Sequence, residues 1–143
     1  MVSPRGVRGR PVHAGEGGGR VLALDAPLSF WGGVDPRQGT ISDPRHPNHG
    51  EDISGRVLVL PSAIGSSSSS AIMLELIREE NAPAAVVMGK ADAILALGVV
   101  VAEELGYRGI PIVELNGGDL ETLSGAAEAH VSKDGVIELT PKT

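Results

Sequence analysis

One stretch, residues 56–88, constrains the fold of this chain more than any other. It begins with the segment RVLVL, which is typical of a buried strand and is ended by Pro61. Residues 69–80 then carry four apolar side chains at helical spacing, and residues 84–88, AAVVM, form a second short apolar run. Strand, helix and strand of these lengths predict a parallel βαβ unit with a right-handed crossover.

Further strands and helices are expected around this unit. Residues 92–105 are predicted to form a helix that begins at a capping residue, Asp92, and ends before a glycine, although the interior Gly98 is unusual in a helix. An Asp134-Gly135 pair between two apolar runs predicts a β-hairpin. These elements predict an α/β fold of three layers, β/β/α, with a mixed sheet. The remaining predicted elements are strands at 20–24 and 110–115 and a helical turn at 120–124.

The length of 143 residues fits a single domain. Hydrophobic residues make up 41% of the chain, which is enough for a compact core, but aromatic residues make up only 2%, so the core must be aliphatic. The first twenty residues are locally basic and rich in glycine and proline. We expect residues 1–9 to form a flexible arm and residues 10–143 to form one domain.

Charge and composition exclude several classes of function. The formal net charge is −6, so the basic excess of a nucleic-acid binder is missing, as are aromatic platforms for single strands. The chain has no cysteine, which excludes disulfides and thiolate ligands for zinc or iron–sulfur clusters. No apolar run reaches the length of a membrane span, and the N-terminus lacks the apolar stretch of a secretory signal. These features predict a cytoplasmic protein that binds neither nucleic acid nor membrane.

Five consecutive serines, Ser66 to Ser70, follow Gly65 between the first strand and the helix of the βαβ unit. A flexible linker is one interpretation of polyserine, but both flanks are core elements. N-capping by Ser68 or Ser69 explains one serine only. A helix N-terminus carries free N–H groups and about half a positive charge, which attracts a carboxylate and favours the alkoxide form of a serine. The spacing predicts anion binding and no particular reaction, because the P-loop and hydrolase-elbow patterns are both missing.

A polar loop, residues 34–54, precedes the βαβ unit and is dense with turn-forming residues. Asp35 and Asp43 each precede a proline and could simply shape turns. His46 and His49 could bind a metal ion together with nearby carboxylates, but histidines on a proline-rich loop are more often ordinary surface residues. A position at a substrate entrance or a partner surface is the favoured interpretation.

Two of the three aromatic residues, Phe30 and Trp31, stand directly before a Gly-Gly pair at the start of this loop. They are either core anchors or an exposed contact for another chain. The sequence does not distinguish these two roles.

The run FWGGVDPRQGTISDPRHPNHGEDISGRVLVLPSAIGSSSSS resembles the signature of the aconitase X small subunit, also called the swivelling domain. The likeness extends from Arg10 to Val113 and rests on a phenylalanine and one further residue before Gly-Gly-Val-Asp, and on a short strand, proline and Gly-Ser before a helix. The resemblance implies an aconitase-type swivelling domain that works in a two-component dehydratase. A larger subunit would contribute the iron or iron–sulfur centre and much of the pocket, and this chain alone would bind no cofactor or metal.

The resemblance also implies roles for individual residues. The family's base is the serine that follows the glycine, which corresponds to Ser66. Gly65 would allow close approach of the backbone to the substrate, Ser67 would bind a carboxylate or orient Ser66, and Ser70 would serve the helix start. Further substrate-lining residues are expected to be Asp35, Asp43 and His46.

Two substrates fit the resemblance. Archaeal relatives resemble phosphomevalonate dehydratase, whose loop before Gly-Ser is usually basic, whereas residues 61–66 of this chain, PSAIGS, carry no cation. The neutral loop favours the bacterial branch, which includes cis-3-hydroxy-L-proline dehydratase and forms Δ1-pyrroline-2-carboxylate. The alternative is (R)-5-phosphomevalonate. A non-catalytic, anion-binding regulatory module is a third interpretation from a different functional class.

Overall fold

A computed structural model describes residues 5–64 and 67–142. Ten strands and four helical segments lie within these ranges. The strands are β1 (Arg5–Arg8), β2 (Arg10–His13), β3 (Gly17–Ala23), β4 (Val34–Asp35), β5 (Thr40–Ile41), β6 (Val57–Leu60), β7 (Ala85–Met88), β8 (Ile112–Glu114), β9 (Ala126–Val131) and β10 (Val136–Pro141). The helical segments are α1 (Phe30–Gly33), α2 (Ser69–Arg78), α3 (Ala93–Glu104) and α4 (Gly117–Ser124).

Eight strands form one mixed sheet in the order β1-β10-β9-β3-β6-β7-β8-β2. The central strands β3, β6, β7 and β8 are parallel, and the outer strands pair antiparallel. The predicted βαβ unit is confirmed, because β6 and β7 pair in parallel with Val57 opposite Ala85 and α2 lies between them in sequence. Strand β3 joins the two halves of the sheet, since residues 17–20 pair with β9 and residues 21–23 pair with β6.

Side-chain alternation along the central strands creates two apolar cores. Leu58 and Leu60 of β6 belong to a core that also contains Met73 of α2 and Val99 of α3. Their neighbours in the same strand, Val57 and Val59, belong to a second core with side chains of β9, β10 and α4. A strand that is buried on both faces reads as continuously apolar, which explains the sequence RVLVL. The predicted α/β class with a mixed sheet is confirmed.

Helix α3 is capped as predicted. The Asp92 carboxylate accepts hydrogen bonds from the N–H groups of Ile94 (2.9 Å) and Leu95 (3.4 Å). The unusual Gly98 lies where α3 crosses the first turn of α2. A Cβ atom at this position would collide with the carbonyl oxygen of Ser70 and would lie 3.0 Å from Cβ of Met73. Glycine is therefore required for the close approach of the two helices.

The N-terminal residues depart from the sequence prediction. A flexible arm was expected over residues 1–9, of which residues 1–4 lie outside the described part of the chain. Arg5–Arg8 form strand β1, which pairs antiparallel with β10 at the sheet edge. The N–H of Gly9 donates to the carbonyl of Gly135 (2.9 Å) in the hairpin turn. Pairing at an edge depends on backbone hydrogen bonds, so a basic, glycine-rich segment joins the sheet without an apolar pattern. The expected domain start at Arg10 therefore falls inside the sheet.

Other elements lie close to their predicted positions. The Asp134-Gly135 hairpin is present between β9 and β10, with Gly135 at φ +86°. The expected helical turn at 120–124 is part of a longer helix, α4, and the polar loop contains the two-stranded ribbon β4–β5. Within the described ranges, no helix combines the length and the apolar character that a membrane crossing requires.

Candidate functional site

The candidate site lies at the carboxyl ends of the parallel strands, where ligand sites of open α/β sheets gather. The loop of residues 62–68, here called the serine loop, connects β6 to α2. Residues 67 and 68 and residues 62–64 are described, but Gly65 and Ser66 lie outside the described part of the chain. The assignments of Gly65 to substrate approach and of Ser66 to the base therefore remain predictions.

The described serines take different positions at the start of α2. Ser67 is exposed and its carbonyl accepts a hydrogen bond from the Ser70 hydroxyl (3.0 Å), so Ser70 ties the loop to the first helical turn. Ser68 is the N-cap residue, and its carbonyl accepts from the N–H groups of Ala71 (3.1 Å) and Ile72 (3.3 Å). Its side chain makes no capping bond to the helix. The contact of Ser70 suits the role at the helix start that the family resemblance implies.

Ser69 is fully buried, and its hydroxyl has no hydrogen-bond partner among the atoms that the structure describes. A buried hydroxyl without a partner costs about 1–3 kcal/mol of stability, and here it lies at the first residue of α2, directly after the serine loop. Sequence reasoning considered Ser69 only as one of two N-cap candidates, and the structure gives the N-cap position to Ser68. The available signal was its helical phase, because Met73 and Leu76 follow on the same buried face.

The segment from Leu28 to Gly33 runs beside the serine loop. The N–H of Leu28 donates to the carbonyl of Ser62 (3.3 Å), and the N–H of Ile64 donates to the carbonyl of Leu28 (2.9 Å). Phe30 is fully buried and anchors this segment, whereas Trp31 is 56% exposed beside a glycine, Gly32, at φ +79°. Phe30 is therefore a core anchor, and a contact of the exposed Trp31 with another chain remains a prediction.

Asp35 and Asp43 both shape turns. The Asp35 carboxylate accepts from the N–H of Arg37 (2.9 Å), and the Asp43 carboxylate accepts from the N–H of Arg45 (2.9 Å). Asp43 lies next to the aromatic segment, since its Cβ is 3.9 Å from where a Cβ on Gly33 would stand. Asp43 is therefore near the edge of the candidate site, and the assignment of either carboxylate to the substrate remains a prediction.

His46 is buried, and backbone groups engage both nitrogens of its ring. Nδ1 accepts from the N–H of Asn48 (3.0 Å), which places the proton on Nε2, and Nε2 then donates toward the carbonyls of Ala26 (3.2 Å) and Pro27 (3.1 Å). The ring thus connects the polar loop to the segment that enters the site. These bonds give His46 a structural role, and direct contact with a substrate would require breaking them.

Charged groups from the neighbouring strands reach the same sheet edge. The N–H of Lys90 donates to the carbonyl of Pro61 (3.0 Å), so the backbone of this exposed residue lies beside the residue that precedes the serine loop. At the end of β8, the Glu114 carboxylate accepts from the N–H of Ala91 (2.8 Å) and pairs with Arg10 (3.1 Å). These two contacts, the Ala91 N–H first, hold the pKa of Glu114 below its ordinary value. Sequence reasoning missed Lys90.

An iron or iron–sulfur centre does not fit the residues of this chain. The chain has no cysteine, and within residues 5–64 and 67–142 no three histidine or acidic side chains converge in a group that could hold a metal ion. The ring nitrogens of His46 are already occupied, which leaves His49 without its proposed companion. The residues that the structure describes therefore offer no ligand set for such a centre.

Comparisons with known proteins agree with this architecture. Residues 6–139 match the family model of the aconitase X swivel domain. The chain is 43% identical over 130 residues to cis-3-hydroxy-L-proline dehydratase of Pseudomonas aeruginosa, covering 91% of this chain but only 22% of that protein. It is 39% identical over 126 residues to the phosphomevalonate dehydratase small subunit of Methanothermobacter thermautotrophicus, covering 87% of this chain and 92% of that protein.

A solved structure extends the comparison to three dimensions. A chain of the crystal structure of Thermococcus kodakaraensis aconitase X in its holo-form superimposes with a TM-score of 0.82 at 31% sequence identity, over 94% of this chain and 98% of that chain. The chain spans about one fifth of the length of the cis-3-hydroxy-L-proline dehydratases that it matches. The sequence match over almost the whole chain and the shared fold show that this chain belongs to the aconitase X swivel-domain family.

Proposed function

We propose that this chain is the small component of a two-component hydro-lyase that dehydrates cis-3-hydroxy-L-proline to Δ1-pyrroline-2-carboxylate. The observation that carries the proposal is the serine loop, which joins the carboxyl end of β6 to the N-terminus of α2 in a chain 43% identical to a cis-3-hydroxy-L-proline dehydratase. The larger component would supply the remainder of the pocket. This division of labour agrees with the lack of cysteine in the chain.

The proposed chemistry requires one proton transfer to this chain. The alkoxide form of Ser66 takes the proton from the substrate carbon that bears the carboxylate. The C3–O bond then breaks, the hydroxyl leaves as hydroxide, which together with the abstracted proton makes one molecule of water, and a ring enamine remains. The enamine tautomerises to Δ1-pyrroline-2-carboxylate, so one water is lost overall. Assistance to the departing hydroxyl comes from the larger component.

The start of α2 is suited to binding the substrate carboxylate. The first N–H groups of a helix have no partner within the helix, and the helix dipole adds a partial positive charge there. Lys90, whose backbone N–H bonds to Pro61 just before the serine loop, is the formal cation that we propose to assist. One dipole and one exposed lysine match a substrate with a single carboxylate better than a phosphate ester that also carries a carboxylate.

(R)-5-Phosphomevalonate is the second candidate substrate. A specific observation favours it: the phosphomevalonate dehydratase small subunits are matched over most of their own length, 92% in Methanothermobacter thermautotrophicus and 97% in Thermococcus onnurineus. The absence of basic residues from residues 61–64 opposes it, since a phosphate dianion needs more than one cation. The two substrates are therefore compared directly in the test.

The test uses this chain purified together with the large subunit encoded in the same genome. We expect turnover of cis-3-hydroxy-L-proline and not of (R)-5-phosphomevalonate. Ser66→Ala should lower kcat by about 10²–10⁴-fold, the usual contribution of a general base. Ser67→Ala is the matched control, because it removes a neighbouring hydroxyl and should act mainly on KM. Melting curves of each variant show whether the fold is intact.

Three results would contradict the proposal. Turnover of phosphomevalonate alone would transfer the function to the second candidate. Wild-type kcat in a folded Ser66→Ala variant would remove the base assignment. Full activity of the large subunit without this chain would favour the non-catalytic, anion-binding module.

A further inference from the structure

Residues 93–102 of helix α3 are apolar on all sides, although only one side of the helix faces the core. Leu95, Val99 and Ala102 are buried against the sheet and α2. Five large apolar side chains on the other side are exposed, and we call them the α3 stripe: Ile94, Leu97, Val100, Val101 and Leu105. At about 100° per residue they fall within an arc of roughly 140°, so they form one continuous surface.

The α3 stripe is not the ordinary scatter of exposed apolar residues. It contains five of the eight large apolar side chains that are exposed in the described part of the chain. Leu97 is 54% exposed and Leu105 is 63% exposed. A solvent-facing helix surface normally carries charged residues, but the only charged residue within this arc is Glu104, at its C-terminal end. A continuous exposed apolar surface of this kind marks a contact with another macromolecule.

The stripe begins beside the candidate site. Gly98 of α3 lies against Ser70 in the first turn of α2, so the turn that carries Ile94 and Leu97 flanks the serine loop. Three other large apolar side chains are exposed in the described part of the chain. One of them, Ile64, belongs to the serine loop, and another, Trp31, lies on the segment that is hydrogen-bonded to this loop through Leu28. A partner that encloses the serine loop would therefore extend onto the stripe.

We propose that the α3 stripe is the surface that docks against the large component of the dehydratase. The proposal rests on the proposed function for the identity of this partner. In a relative in which the matching region makes up 22% of a longer protein, this region is covalently joined to a much larger remainder, and the large component is the counterpart of that remainder. A second copy of this chain fits less well, because two molecules of net charge −6 repel each other and a copy on the stripe would crowd the flank of the serine loop.

The large component should accordingly present an apolar surface with a basic margin that faces Glu104. Obligate interfaces are more apolar than the remainder of a protein surface, and a single aspartate in their centre leaves a buried charge without a partner. Leu97 lies near the middle of the arc that the stripe covers around the helix. A change there should affect association and leave the chemistry of the assembled enzyme unchanged.

The experiment measures binding of this chain to the purified large subunit by calorimetry. Leu97→Asp should weaken the complex by at least about 100-fold, and Leu97→Gln, which keeps helix propensity and adds no charge, by at least about 10-fold. Thr140→Asp is the matched control, because this exposed residue of β10 lies in the antiparallel half of the sheet and should bind normally. Saturating amounts of Leu97→Gln should restore the kcat of the wild-type complex.

The outcomes separate this proposal from the proposed function. Wild-type affinity of both Leu97 variants would overturn the docking surface even if the complex dehydrates its substrate. Lost affinity in a complex that has no dehydratase activity would support the docking surface and refute the proposed function. A wild-type dimer in sedimentation that Leu97→Gln converts to a monomer, with large-subunit binding unchanged, would assign the stripe to a second copy and overturn the proposal.

Discussion

Substitution of Gly98 by alanine tests whether the crossing of α2 and α3 sets the position of the serine loop. In an unobstructed helix interior, glycine to alanine stabilises by about 1 kcal/mol. At position 98 the new methyl group meets the Ser70 carbonyl, a backbone atom that cannot rotate away, and Cβ of Met73 at 3.0 Å. Overpacking of this kind costs about 1–3 kcal/mol, and the rigid obstacle places the cost at the upper end.

The net expectation is a loss of about 1–2 kcal/mol in the free energy of unfolding, despite the gain in helix propensity. In a domain of this size the melting temperature should fall by roughly 3–8 °C. Gly118→Ala is the matched control, because Gly118 lies in helix α4 and no atom approaches its added Cβ within 4 Å. That variant should be stabilised by up to about 1 kcal/mol.

The assay is urea unfolding followed by circular dichroism, with the two variants and the wild type measured together. A Gly98→Ala protein as stable as the wild type, alongside a stabilised Gly118→Ala, would refute the tight crossing. In the proposed two-component enzyme, Gly98→Ala should also lower kcat more than it raises KM, because displacement of the first turn of α2 would misplace the proposed base, Ser66, together with the helix amide groups.

Two further predictions concern the helix and strand ends. Glu80 adopts φ +61° directly after Glu79, the C-cap residue of α2, and the N–H of Asn81 donates to the carbonyl of Leu76 (2.9 Å). Glu80→Gly should therefore stabilise the protein by about 1 kcal/mol in thermal unfolding, and a destabilised variant would show that this side chain contributes more than its backbone strain costs. The pKa of Glu114 is lowered in the folded protein, so its contribution is present near neutral pH and is lost as the pH falls through that lowered value. The stability difference between wild type and Glu114→Gln should therefore shrink in unfolding titrations below about pH 4, and a difference that grows with acid would contradict the assignment.

Elements that depend on local sequence were predictable. The βαβ unit follows from apolar spacing, the start of α3 from the capping ability of Asp92, and the hairpin from Asp134-Gly135. Each of these signals acts over a few residues, because hydrogen-bond spacing and turn geometry are local properties. The family signature likewise lies in a continuous run of the chain, from the aromatic segment to the serine loop.

Contacts between distant segments could not be predicted from patterns. Strand β1 forms because β10 offers a backbone edge more than 120 residues later, so its own composition carries no strand signal. The burial of Ser69, the engagement of both His46 nitrogens and the position of Lys90 beside Pro61 depend in the same way on which elements meet.

Sequence alone determined that this chain contains a strand, a serine-rich turn and an amphipathic helix, because periodicity and capping are written in neighbouring residues. Only the tertiary structure decided which apolar side chains remain outside the core. Residues 93–102 of helix α3 read as uniformly apolar in the sequence, and packing of the helix against α2 at Gly98 leaves one face exposed beside the serine loop. The physical reason is that burial is a property of the assembled layers and not of any single segment.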